Sequence, residues 1–296
     1  MQLGSADRRG TRMPRLRSLR LYWEGKMSEV LLDLSIPALV TAIKGNLFEY
    51  YRYLGRSIQA EFYESPYLTW LLTGILHPFL NNIIRTQLAP DNVDDLIEET
   101  LTHFRSKNMT QLSWWAEQGS QPLDLAEHLL AHGLVYTEGG PGMAADLLAL
   151  NEDITTPVDL TIERVIDSST LQKWVDVCVL GFDLFGSERA SFDLFAGLDF
   201  DLPLRSYMGC LKGEPVATAQ LFLGAGVAGI YCVSTVEEAR RRGIGATIVL
   251  AALREARDLG YRAGILHSTT MGYSVYRRLG FQELCKMNHF YWSGPG

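Results

Sequence analysis

The C-terminal half of the chain alternates short apolar runs with turns. Arg205–Leu211, Val216–Leu223 and Val227–Val233 are rich in β-branched and aromatic residues and read as strands. Lys212-Gly213-Glu214-Pro215 turns the chain between the first two, and Gly224-Ala225-Gly226 between the second and third. The period then changes. Ile244, Ile248, Val249, Ala252, Ala256 and Leu259 recur at helical spacing, and Gly260 ends that helix as a C′ glycine does. Ala263–His267 reads as a buried strand, Met271–Leu279 as a short helix, and Leu284–Trp292 as a last strand. The predicted order is antiparallel meander, helix, strand, helix, strand, an α+β fold with a mixed sheet.

The first half is less regular. Val30–Leu54 reads as one or two helices around Pro37, and Gln59–Thr73 as paired strands turning at Ser65-Pro66. Asn92–Lys107 has helix signals, with Asp91 as N-cap and acidic residues in the first turn. Gln111–Glu117 is a Trp-rich strand, Asp124–His132 a short helix, and Val135–Leu148 contains a further strand. Glu127–Leu134 mirrors Val275–Phe281: a helix, a glycine, then an apolar residue opening a strand. The first half therefore reads either as a degenerate copy of the second or as an unrelated α+β domain. Thr155-Thr156-Pro157-Val158-Asp159 is the natural linker, which divides the chain into residues 27–154 and 160–296.

Composition bounds the function. The 296 residues are 47% hydrophobic and 21% charged, ordinary globular values for two domains. The net charge of −7 argues against nucleic acid as a main partner, and no apolar run is long enough for a membrane helix. Residues 1–26 stand apart, with seven Lys or Arg against two Asp or Glu and no apolar signal core. They read as a basic, disordered extension, and Met27-Ser28-Glu29 opens the globular part. Cys178, Cys210, Cys232 and Cys285 show no metal-type pairing, so no metal is expected. They read as reduced thiols of a cytoplasmic protein.

The most chemically specific stretch is Thr235-Val-Glu-Glu-Ala-Arg240-Arg-Arg-Gly243-Ile-Gly245, between the meander and the long helix. A strand-to-helix junction with small residues presents free N–H groups at the positive end of a helix dipole. That suits a phosphate or pyrophosphate, and Arg240, Arg241 and Arg242 add charge of the right sign. A phosphate loop of the G-x-x-x-x-G-K-[ST] kind is excluded because its Lys and hydroxyl are absent. A dinucleotide fingerprint is excluded because position 248 is Ile rather than Gly.

What remains, Arg-x-x-Gly-x-Gly, resembles the coenzyme A signature of the GNAT acetyltransferase superfamily, [Q/R]-x-x-G-x-[G/A]. Val275-Tyr276-Arg277-Arg278-Leu279-Gly280-Phe281 is similar to that family's second signature. The resemblance covers Leu160–Trp292. It implies acyl transfer, usually of acetyl, from acetyl-CoA to a primary amine of a small molecule or peptide. It also implies that the third and fourth strands of this half splay apart. The pantetheine arm then pairs with Ile230–Val236, and an oxyanion-polarising N–H lies near Ser234 or Thr235. The pyrophosphate falls on the amides of Arg241, Arg242, Gly243, Ile244, Gly245, Ala246 and Thr247.

Tyr276 matches the family's general-acid tyrosine, with Tyr273 as fallback. Ile230–Thr235 holds no carboxylate, so His267 is the candidate for a water-relayed base. Asp183 and Glu188 are candidates for holding the substrate ammonium. Thr269 stands where the family commonly has an Asn, and Glu237 where it often has a Pro. Tyr207, Phe222 and Tyr231 are candidates for a pocket that takes a longer acyl group. The first half has no Gly-x-Gly before its Trp-rich strand and is expected to bind no coenzyme A. The alternative function is a catalytically silent coenzyme A-binding sensor. A monomer or homodimer is expected.

Overall fold

The protein is described by a computed structural model covering residues 29–77, 80–89, 91–116 and 120–294. The basic segment 1–26 of the sequence reading lies outside these residues. The first half runs α1 (Ile36–Leu54), β1 (Glu61–Glu64), β2 (Leu68–Leu72), β3 (Asn81–Thr86), α2 (Val93–Ser106), β4 (Gln111–Trp115), α3 (Leu125–Ala131), β5 (Val135–Thr137) and β6 (Pro141–Asp146). The second runs β7 (Leu160–Arg164), α4 (Ser168–Phe182), α5 (Glu188–Ala196), β8 (Leu204–Leu211), β9 (Glu214–Gly224), β10 (Val227–Thr235), α6 (Ile244–Asp258), β11 (Ala263–His267), α7 (Thr270–Leu279), β12 (Gln282–Lys286) and β13 (His289–Ser293).

Local chemistry sets most boundaries. Pro37 sits in the first turn of α1, where its missing N–H is not needed, so Val30–Leu54 holds one helix and not two. Ser65 Oγ accepts the amides of Tyr67 and Leu68 and turns the β1–β2 hairpin. Asp167 and Thr170 form a reciprocal capping box at the start of α4. Gly280, at φ 104°, closes α7. Asn92, rather than Asp91, stands at the N-cap of α2.

The two halves repeat one another. The order β1-β2-β3-α2-β4-α3-β5-β6 matches β8-β9-β10-α6-β11-α7-β12-β13 element for element. In each half the third strand of the meander lies parallel to the strand after the long helix, β3 beside β4 and β10 beside β11. The mirrored helix–glycine–strand pattern near 130 and 280 is thus part of a whole repeated fold.

The last strand of each half is exchanged. The six-stranded sheet is ordered β1-β2-β3-β4-β13-β5, and the seven-stranded sheet β12-β6-β11-β10-β9-β8-β7. Strand β13 therefore lies between β4 and β5 of the other half, with His289 opposite both Trp115 and Thr137. Strand β6 fills the corresponding gap, with Met143 opposite Leu266 and Glu283. The single last strand predicted over Leu284–Trp292 is in fact two, broken at Met287-Asn288, because the chain leaves one sheet there and enters the other.

The two connections cross in contact. A Cβ on Gly139 would fall on the Met287 carbonyl oxygen, and one on Gly140 would fall on that of Ser268. Met287 N–H donates to Gly140 C=O at 3.4 Å, Ser268 N–H to Pro141 C=O at 3.0 Å, and Ala116 N–H to Asn288 C=O at 3.3 Å. Lys286 and Glu138 form an ion pair at the rim.

Three layers of core result from this arrangement. Helices α6 and α7 cover one face of the seven-stranded sheet, with Ile248, Val249, Leu253, Leu279 and Phe281 buried beneath them. Helix α1, from the first half, covers part of the other face beside α4. Its Asn46 donates to Gly224 C=O at 2.8 Å and accepts from Tyr231 OH at 2.7 Å, and its Tyr50 stacks on Tyr231 at 3.9 Å. Helices α2 and α3 cover the six-stranded sheet over Trp114, Phe104 and Leu129. No described helix is long and apolar enough to cross a membrane.

The crossing makes a test. Gly139→Ala forces a methyl group onto a carbonyl and is expected to cost more than about 3 kcal/mol in urea unfolding. Gly213→Ala, at φ 87° in an open hairpin turn, is expected to cost about 1 kcal/mol, its backbone strain alone. Equal losses in the two variants would show that the crossing is not tightly packed.

Candidate active site

Strand β10 outlasts its partner. Its parallel pairing with β11 ends at Ile230 opposite Leu266, yet it runs on to Thr235. Strands β10 and β11, the third and fourth of those read from the sequence in this half, therefore part where they were expected to. On its other side β10 stays paired with β9 to Thr235 opposite Ala217, through an irregularity between Tyr231 and Ser234 where Cys232 takes φ 48°.

The pairing decides which amides are free. Val236 N–H donates to Val216 C=O at 2.9 Å. Alternate residues of a strand turn their backbone groups to opposite edges, so Ser234 also faces β9 and Thr235 faces the open edge. The Ser234 hydroxyl is engaged as well, 2.8 Å from Thr218 Oγ1, and α4 closes over it at Gly181. Of the two residues proposed from sequence to polarise a carbonyl, Thr235 has its N–H on the open side. Its carbonyl on that side accepts Arg240 Nε at 2.9 Å, which ties the next loop to the strand.

That loop makes a 3-10 turn over Glu237–Ala239, takes φ 60° at Arg241 and φ 82° at Gly243, and enters α6. Ile244, Gly245 and Ala246 open the helix, so their N–H groups have no intrahelical acceptor. Thr247 does: its N–H reaches Gly243 C=O at 3.0 Å and its hydroxyl the same oxygen at 3.1 Å. The free amides proposed for a pyrophosphate thus end at Ala246. Arg241 and Arg242 are exposed beside them.

The two glycines have different tasks. Gly243 has a left-handed φ, and a Cβ there would overlap the Thr155 carbonyl oxygen of the linker between the halves. Its need is set by backbone shape and by packing against that linker. Beside Gly245 the space is open, the nearest atom to a Cβ being Thr235 Oγ1 at 3.8 Å. Gly245 is the residue whose missing side chain leaves room between α6 and the free edge of β10. The linker itself lies along α6, with Glu152 paired to Arg254 at 2.7 Å and to Arg257 at 2.6 Å, and Thr156 Oγ1 at 3.2 Å from Thr247 Oγ1.

Tyr276 lies on α7 against Phe281, ring centroids 6.0 Å apart, and makes no side-chain hydrogen bond among the described residues. Burial pushes its phenol up to about 12. Tyr273, the fallback, is partly buried against the same core. Thr269 caps α7, its hydroxyl accepting Gly272 N–H at 3.2 Å, so it is already occupied locally. Asp183 is the left-handed C-cap of α4 and is exposed. Glu188 accepts Gly186 N–H at 3.2 Å within its own loop. Among the described residues, no contact from another element directs either into the cleft.

His267 ends β11 at the opening. Both ring nitrogens are buried without a hydrogen-bond partner among the described residues, and burial lowers its pKa to about 4. Its ring lies between Tyr231, at 6.4 Å, and Trp115 of the other half, at 6.5 Å. Trp115 is in turn 5.3 Å from His289. Sequence reading missed Trp115 and His289 at this place because only the strand exchange brings them here. Tyr207, Phe222 and Tyr231 do not form one pocket. The Tyr207 hydroxyl bonds Glu255 at 2.5 Å under α6, Phe222 packs on Tyr50 and Tyr53, and Tyr231 is stacked on Tyr50.

Comparison with known proteins agrees with this geometry. Residues 173–281 match the model of the acetyltransferase (GNAT) family. No curated protein matches the sequence. Among solved structures, a GCN5-related N-acetyltransferase from Kribbella flavida aligns over 89% of this chain and 98% of its own, with TM-score 0.63 and 20% identity. A functionally unknown conserved protein from Staphylococcus epidermidis aligns over 81% and 94%, with TM-score 0.59 and 16% identity. A tandem GNAT protein from the clavulanic acid biosynthesis pathway aligns over 77% and 79%, with TM-score 0.53 and 14% identity. At these identities the likeness is one of fold, and it extends across both halves. Residues 173–281, which hold the open edge of β10, the α6 N-terminus and Tyr276, form a GNAT family domain.

Proposed function

We propose that the chain is an acyl-CoA-dependent N-acetyltransferase that moves an acetyl group to a primary amine of a small molecule or peptide. The observation that carries this reading is the unpaired stretch of β10 beyond Ile230, which leads directly to the N-terminus of α6. Free strand N–H and C=O groups suit the amide-bearing pantetheine arm of coenzyme A, and free helix amides suit its pyrophosphate. The residues present fit that molecule. The amides of 244–246 have no intrahelical acceptor, the space beside Gly245 is open, and Arg241 and Arg242 supply charge. Acetyl-CoA supplies an acyl group activated as a thioester.

The side chains then divide the work. Thr235 N–H, on the open edge, donates to the carbonyl oxygen on which charge develops. His267 is neutral at pH 7, because burial holds it near 4, and so has a lone pair to take the ammonium proton through a water molecule. Tyr276 stays protonated at neutral pH and gives its proton to the departing thiolate. The proton count balances: the amine nitrogen loses two protons, one on the His267 side before attack and one as the amide forms; one of them makes good the proton that Tyr276 gives to sulfur, and the other goes to solvent.

The first half, residues 27–154, is read as a degenerate copy that completes the cleft. Its junction equivalent to β10–α6 is Gln87–Asn92, between β3 and α2, and contains no glycine. It offers no Gly-x-Gly cradle for a second coenzyme A.

Calorimetric titration of the full chain with acetyl-CoA, followed by thiol release in the presence of an amine panel, tests the reading. One-to-one binding with amine-dependent release is expected. Binding without release would leave the silent sensor as the better account.

Three variants refine it. Gly245→Val is expected to weaken acetyl-CoA binding by about tenfold or more while leaving the unfolding midpoint close to wild type, since Gly is a poor helix residue. Gly243→Ala is expected to lose more folding stability than the about 1–2 kcal/mol of the left-handed backbone, because its methyl group also meets the Thr155 carbonyl oxygen. Tyr276→Phe is expected to lower kcat by about a hundredfold with little change in acetyl-CoA affinity. Equal loss of both would mark Tyr276 as a packing residue.

The pH dependence has a definite sign. His267 has a folded pKa below its ordinary 6.5, so its stabilising contribution is fully present above 6.5 and is lost as pH falls towards about 4. The acid limb of kcat/KM for an amine is expected near 4 rather than 6.5, and to disappear in His267→Gln. An acid limb near 6.5 in wild type would assign the proton transfer to another group.

A further inference from the structure

The repeated fold leaves two openings between parallel strands, and only one is absorbed by the proposed function. In the first half, pairing of β3 with β4 ends at Ile83 opposite Trp114, just as β10 parts from β11. The residues immediately past that point, Ile84, Arg85 and Trp115, line a groove of about 330 Å³ whose other wall is α1, with Lys44 and Phe48. The groove has the place of a cofactor cleft but lacks a glycine junction behind it. It carries cationic side chains instead.

Its position relates it to the site already described. Trp115 lines this groove and also meets His267 edge to face at 6.5 Å. His267 presents two buried ring nitrogens with no partner among the described residues. Arg85 is exposed and enters no ion pair or hydrogen bond among the described residues. Lys44 reaches the same groove from α1. The apolar side chains of Phe48, Ile84 and Trp115 line the groove beside these cations, and such low-dielectric walls focus their field on an anion that enters.

We propose that this groove is the acceptor subsite, and that the acceptor is a primary amine carrying an anionic group, a carboxylate or a phosphate. Arg85 and Lys44 hold the anion. The amine end extends past Trp115 towards His267 and the open edge of β10. This rests on the acetyltransferase reading and deepens it by naming the substrate class. The degenerate half thereby supplies substrate selection, with its own strand opening turned from a cofactor cleft into an anion site.

The test uses amines in charge pairs, 4-aminobutyrate against n-butylamine and phosphoethanolamine against ethanolamine, with acetyl-CoA and the full chain. At least one anionic member is expected to be used with a kcat/KM about tenfold or more above its neutral partner, the usual worth of a charge-assisted contact. A preference confined to phosphoethanolamine names a phosphate, and one confined to 4-aminobutyrate names a carboxylate. Arg85→Gln is expected to reduce that ratio about tenfold through KM, with the acetyl-CoA dissociation constant unchanged. Neutral and anionic amines used equally by wild type, or a ratio that Arg85→Gln leaves intact, would overturn the proposal. If acetyl-CoA binds but no amine is turned over, calorimetric titration of the two anionic amines into wild type and Arg85→Gln decides it. Binding weakened by the substitution supports the groove, and no binding overturns it. Failure of acetyl-CoA itself to bind would overturn the acetyltransferase reading, and the same two titrations without cofactor would still decide the groove.

Discussion

Every strand of a sheet needs a partner on each side or a reason to go without one. In this protein each half lacks the strand that fills the gap beside its last parallel pair, and the other half supplies it. The exchange of β6 and β13 fixes much of the remaining architecture. It sets the close crossing at Gly139-Gly140, brings α1 and Trp115 of the first half against the second, and places His289 beside Trp115 near His267. Truncating the chain at the linker would leave both sheets with an internal vacancy rather than release two folded units.

Against that background of satisfied backbone, the stretch of β10 beyond Ile230 is an exception. Its freed edge is what the proposed chemistry uses, and it is held open by pairing on the other side with β9 and by the Arg240 guanidinium on the Thr235 carbonyl. Backbone groups, not a cluster of charged side chains, define this site. The side chains proposed to contribute, His267 as an acceptor and Tyr276 as a donor of protons, are both uncharged at neutral pH, and burial moves each further from charging.

From β8 onward the sequence disclosed the second half well because its signals are local, whereas β7, α4 and α5 were not read. Gly243 and Gly245 must lie at a turn into a helix, the meander turns carry glycine, and Leu279-Gly280-Phe281 marks a helix end. Even there, the separate tasks of the two glycines depended on where Thr155 lies, which no local pattern records. The first half was harder. Strand β3 went unrecognised because Asn81-Asn82-Ile83-Ile84-Arg85-Thr86 has two Asn where strand patterns favour β-branched residues. Both Asn are buried and bonded: Asn82 accepts from Trp115 Nε1, and Asn81 joins Thr73 to Ile75. The exchange itself left no mark, since β6 and β13 look like any other strands and their partners are remote in sequence.

The order in which the chain is made gives the exchange a further meaning. Strand β4 is complete at Trp115, yet the neighbour that it needs is β13, and His289 emerges from the ribosome only after most of the chain has been made. The six-stranded sheet cannot close while the second half is still being synthesised. Loop closure over so long a separation is slow, and a half-built sheet with a bare internal edge invites pairing with strangers. Helix α1 and strand β6, made early, must likewise wait for the sheet on which they rest. Closure of the two sheets therefore follows the making of β13, and the proposed active cleft is complete only when both halves have come together.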